Sequence, residues 1–118
     1  MNEERRREPR LDALPLNLFA YDNLSNKLLG TLVNLSSRGL MILGSGHGEP
    51  GGVMQIDLRS ADAPDKPLLS LGLKVSWVSP ANTAGSYWMG GRIIGLEPEH
   101  AKTLAELLQQ LRQHADSA

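Results

Sequence analysis

Leu69, Leu71, Leu73, Val75 and Trp77 alternate without interruption with Ser70, Gly72, Lys74 and Ser76. Successive side chains of a strand point to opposite faces, so this order puts five apolar groups on one side. A helix would scatter the same residues around its whole circumference. The stretch is therefore expected to be a long central strand with one face on a core, and Trp77 completes the inward parity.

Weaker versions of the same period occur elsewhere. Leu14, Leu16, Leu18 and Ala20 share a parity within 14–21, and Met54, Ile56 and Leu58 share one within 53–58. Leu28 to Leu35, Leu40 to Leu43 and Tyr87 to Leu96 also read as strands, the last with Gly90, Gly91 and Gly95 marking bulges or close packing. Turn chemistry separates them at 22–26, 44–52 and 79–86, and a polar loop with two prolines is expected over 60–67. Glu97-Pro98-Glu99 reads as a helix start. After it Ala101, Leu104, Leu107, Leu108 and Leu111 form one helical stripe, and the tail after His114 is expected to fray.

Six strands and one amphipathic helix imply a mainly β fold. The expected form is a six-stranded antiparallel β-barrel capped by a C-terminal helix, because closure removes the exposed edges of an open sheet. With 118 residues the chain fits one domain with one core. The expected division is a flexible Arg-rich N-terminal arm over 1–12, the barrel over 13–96 and the helix over 97–115.

Several functions are hard to build here. There is no cysteine, so thiolate chemistry and disulfides are excluded. No His-Glu-x-x-His, nucleophile elbow or phosphate loop before a helix is present. Gly46-x-Gly48-x-x-Gly51 matches a dinucleotide fingerprint literally. That fingerprint must open a helix, whereas Val53 to Leu58 alternates as a strand. His47 has no second ligand nearby, so no metal site is expected. A net charge of −1 and five aromatic residues argue against a nucleic-acid polymer as partner. The charged first residues lack the apolar stretch of a secretion leader, and no run approaches the ~20 residues that span a bilayer. A cytoplasmic, non-catalytic protein without membrane insertion is expected.

Two stretches point to binding instead. In Val33-Asn34-Leu35-Ser36-Ser37-Arg38-Gly39-Leu40, Asn34 and Ser36 share a strand face, and Gly39 lets the chain turn or a ligand come close. The result is a cradle of hydrogen-bonding groups with no general acid or base. In the arm, Arg5, Arg6, Arg7 and Arg10 stand among three glutamates. They read either as a solvated segment or as planar forks for one compact anion.

Asn34-x-Ser36-x-x-Gly39 together with Arg6-x-x-x-Arg10 resembles the paired signature of the PilZ domain, a family that binds the bacterial second messenger cyclic di-GMP. The resemblance covers most of the chain and implies the same barrel. It implies that Arg6 and Arg10 clamp the ligand from the arm while Asn34, Ser36 and Gly39 hold a guanine edge from the barrel. Arg5 before the signature implies two ligand molecules per domain, and Arg7 flanks it. Arg38 implies a phosphate contact or a solvated loop charge. Trp77 stands where relatives carry an aromatic near the ligand, so it is either core or ligand contact. The function implied is that of a cyclic di-GMP receptor that orders its arm to present a surface to an effector protein. The alternative is a degenerate adaptor that binds protein only.

Overall fold

Six antiparallel strands close on themselves. The computed structural model describes residues 10–117, with side chains through residue 115. Its elements are β1 (Leu11–Asp12), a 3₁₀ helix (Leu14–Leu16), β2 (Leu18–Asp22), β3 (Leu28–Leu35), β4 (Gly39–Gly44), β5 (Val53–Ser60), β6 (Ala63–Pro80), β7 (Tyr87–Gly95) and α1 (Pro98–Ser117). The spatial order β3-β2-β5-β6-β7-β4 is completed by pairing of β4 with β3. Strand β1 pairs with the far end of β3, placing Leu11 opposite Leu35 and Asp12 opposite Asn34.

The inward positions are those of the period-two pattern. Leu32, Leu35, Ile42, Ile56, Leu58, Leu69, Leu73 and Met89 are fully buried. Leu104, Leu107, Leu108 and Leu111 of α1 join the same core, whereas Ala101 is exposed. The helix packs on β6, β1 and the 3₁₀ helix and runs on to Ser117, past the expected fraying point.

Three local expectations fail for backbone reasons. Leu14 to Leu16 is a 3₁₀ helix rather than the start of a strand. Pro15 lacks a ladder donor, and Asn17 adopts a left-handed conformation at φ 55° that turns the chain into β2. Leu14 is accordingly exposed. Residues 63–67, expected in a loop, extend β6 into a hairpin that pairs Arg59 with Pro67 and Ser60 with Ala63. Most consequentially, the inward parity of β6 stops at Val75. Val75 lies opposite Gly91 and Trp77 opposite Gly90, so Ser76 is an extra residue, a β-bulge. Val75 is 1% exposed and Trp77 36%. Trp77 is therefore on the outside of the barrel and not in the core.

A polar knot fastens the barrel wall away from that bulge. The Asp57 carboxylate, 2% exposed, accepts hydrogen bonds from Asn23 Nδ2 (3.0 Å), Ser70 Oγ (2.7 Å) and Arg59 Nη2 (2.9 Å). Arg59 also donates to Asn26 Oδ1 at 2.7 Å and lies 4.2 Å over the Tyr21 ring. One guanidinium thus joins the β2–β3 turn to β5.

Candidate functional site

The turn between β3 and β4 is built by Ser36. Its N–H donates to the Gly39 carbonyl at 2.9 Å, and its Oγ accepts from the N–H groups of Arg38 (3.2 Å) and Gly39 (3.1 Å). Ser36 is 5% exposed, so its hydroxyl organises the turn from beneath. Gly39 is not among the glycines with positive φ. Glycine is needed there because a Cβ would lie 2.5 Å from the Gly91 carbonyl oxygen on β7. The requirement is close approach of two strands, not a left-handed turn.

Asn34 stands just before this turn. A bulge in the β3–β4 ladder leaves Leu32 opposite buried Ile42 and Asn34 opposite Met41, so Asn34 faces outward. Met41 lies opposite Gly90 on β7, and Gly90 lies opposite Trp77 on β6. An outward row thus runs Asp12, Asn34, Met41, Gly90, Trp77 across five strands. At ~4.8 Å between strands, Asn34 and Trp77 are about 14 Å apart along it. Trp77 lies across Gly90, where an added Cβ would be 2.5 Å from indole Cε2 and Nε1. The row therefore offers a flat aromatic surface at one end and an amide at the other. Among the described residues, Asn34 Oδ1 is buried without a hydrogen-bond partner, and Nδ2 reaches only the Met41 sulfur at 3.9 Å. Such an acceptor costs free energy until a donor meets it.

The remaining candidates distribute unevenly. Arg5, Arg6 and Arg7 lie outside the described residues. Arg10 is exposed and directly precedes β1, whose Asp12 is in register with Asn34. Arg38 is exposed at the tip of the turn, and its carbonyl accepts from Ile93 N–H at 2.7 Å. Sequence reasoning missed Lys74 and Arg92, which are cross-strand partners on the outer face and line a cleft of ≈ 370 Å³ with Gly51, Val75 and Ser76. Only the register of β6 with β7 unites them, and no spacing in the sequence encodes that register.

The polar groups of the row can hydrogen-bond, and the indole can stack. Asp12 is engaged through Oδ1 with the Leu14 N–H at 3.0 Å. Among the described residues, no three His, Cys, Asp or Glu side chains gather as metal ligands. His47 packs edge-on against Tyr87 at 4.6 Å. No helix among the described residues is long and apolar enough to cross a membrane.

A family model described as "PilZ domain" matches residues 4–110. No curated protein matches the sequence. Several solved structures share the fold. YcgR from Escherichia coli in complex with c-di-GMP aligns with a TM-score of 0.71 at 20% identity over 96% of this chain and 48% of that one. The isolated PilZ domain of the same protein with c-di-GMP gives 0.66 at 17% identity over 96% and 95%. The Bacillus subtilis inhibitor of motility MotI/DgrA gives 0.68 at 14% identity over 97% and 53%. The chain spans about half the length of the two longer proteins.

Proposed function

The chain belongs to the PilZ domain family, and we propose that it is a receptor for cyclic di-GMP that binds the nucleotide on the outward row from Asn34 to Trp77. The observation that carries this reading is the pair of bulges, which turn Asn34 and Trp77 to the same outer face. Bulges commonly re-aim side chains at functional sites. The two YcgR structures with c-di-GMP share the fold, which supports the choice of ligand.

A guanine has a π-face for Trp77 and a hydrogen-bonding edge for the Asn34 side-chain amide. Its O6 and N7 accept a planar arginine fork, worth ~1–3 kcal/mol where such pairs are measured in DNA recognition. Arg10 directly precedes the Leu11–Leu35 pair next to the β3–β4 turn, and Arg6 is the second fork of the signature. Ser36 and Gly39 act by holding the turn that presents Asn34, and Arg38 contacts phosphate from its tip. Two or three such contacts reach micromolar affinity, ~−8 kcal/mol, after ordering costs are deducted. Arg5, directly before the signature, supports a second ligand stacked on the first. Binding draws residues 1–10 onto the rim and makes a surface that an effector protein reads.

Titration calorimetry with cyclic di-GMP tests the reading and returns the stoichiometry. Wild type binds in the micromolar range, while Arg10→Ala, Asn34→Ala and Trp77→Ala each lose tenfold or more without a lower melting temperature. A wild-type chain that gives no heat, while its fold is intact by circular dichroism, refutes it.

A further inference from the structure

Lys74 and Arg92 stand directly opposite each other on β6 and β7, both exposed on the outer face. Like charges at directly opposed positions destabilise a sheet. Among the described residues neither takes part in an ion pair; those found are Arg59–Asp57 and His100–Glu99. The chain as a whole carries a net charge of −1, so this cationic pair is a local concentration and not a general trend. It is also concave: the two side chains line the ≈ 370 Å³ cleft with Gly51, Val75 and Ser76. Gly39 lies opposite Arg92 on its other side, which leaves that flank without a side chain.

The cleft adjoins the outward row. Arg92 is two residues beyond Gly90, a step of about 6.6 Å along the strand. On β6 the bulge at Ser76 puts Lys74 and Trp77 on one face, where unbroken alternation would separate them.

We propose that Lys74 and Arg92 form a phosphate subsite that takes a phosphodiester of the nucleotide whose base stacks on Trp77. The inference rests on the cyclic di-GMP reading for its ligand and on the opposed cations for its location. An ammonium and a guanidinium across one cleft can meet two oxygens of a single phosphate group. The bound anion relieves a repulsion that the free protein carries.

The test is calorimetric titration of the full chain and of Lys74→Gln/Arg92→Gln with cyclic di-GMP across a salt series. Titration with inorganic pyrophosphate, followed by amide NMR, is its second arm. The double variant is expected to bind tenfold or more weakly. Its slope of log K against log salt should be shallower by about one unit, and its melting temperature at low salt equal or higher. Pyrophosphate should shift the amides around residues 74 and 92 in wild type only. Unchanged affinity and slope overturn the subsite. If wild type fails to bind cyclic di-GMP, the parent reading falls. The pyrophosphate arm then decides alone: shifts confined to wild type support the anion site, and their absence overturns it.

Discussion

Two glycines on this barrel look interchangeable in the sequence and are opposite in meaning. Gly39 has backbone above it: a Cβ would meet the Gly91 carbonyl oxygen at 2.5 Å. Backbone in a closed barrel cannot move aside, so Gly39→Ala is expected to cost about 1–3 kcal/mol, seen as a lower denaturation midpoint. Gly90 has the Trp77 indole above it, again at 2.5 Å. A side chain can rotate, so Gly90→Ala should cost less stability but displace the indole. The expected outcome is altered tryptophan fluorescence and weaker cyclic di-GMP binding with a nearly unchanged midpoint. Equal stability losses in both variants would show that the indole is not free to move. Asn34, Ser36 and Gly39 were legible as a group from their spacing. The division of labour among them was not, because it depends on which groups lie across the turn and across β7.

At the level of elements, hydrophobic alternation reports a strand only where the backbone can extend, and reports its facing only between bulges. Leu69 to Val75 obeyed the pattern, and Ser76 then reset it for Trp77. Leu14 and Leu16 fit the parity of a strand that Pro15 and Asn17 prevent from forming. The Asp57 knot was invisible for a related reason: Asn23, Arg59 and Ser70 come from three segments that only the folded register gathers. Its consequence is a pH dependence. Burial would raise the Asp57 pKa, but hydrogen bonds from Arg59, Ser70 and Asn23 and the charge of Arg59 outweigh it and hold the carboxyl below the ordinary value. A depressed folded pKa contributes stability that is present above the unfolded pKa, ~3.9, and disappears as pH falls through the folded value. Wild type should therefore lose stability below about pH 4 more steeply than Asp57→Asn, in denaturant titrations at each pH. Parallel curves would remove Asp57 as the cause. At neutral pH, Asp57→Ala strands the Arg59 charge and is expected to cost on the order of 3 kcal/mol.

For the molecule as a whole, the terminal helix completes the core. Leu104, Leu107, Leu108 and Leu111 are nearly inaccessible only because they close the barrel from outside the sheet. A domain of this size has about 5–15 kcal/mol to spare, and truncating one buried leucine removes about 2–5 of it. Leu111→Ala is expected to lower the melting temperature by roughly 10 °C or more. A shift of a degree or two would mean that the helix rests on the barrel without completing it. This architecture was readable in advance because a 3.6-residue stripe following several period-two segments has few ways to be buried. The pairing of β1 with β3 was not readable, since two paired residues leave no pattern.

That short pairing of β1 with β3 has a kinetic and entropic corollary. Leu11 and Asp12 anchor the leader beside Asn34, so the guanidinium of Arg10 is leashed one residue from a fixed point. A group on so short a tether samples its surroundings at an effective concentration in the millimolar range or above. On the proposed function, capture by Arg10 of a nucleotide already docked on the outer face is thus nearly intramolecular.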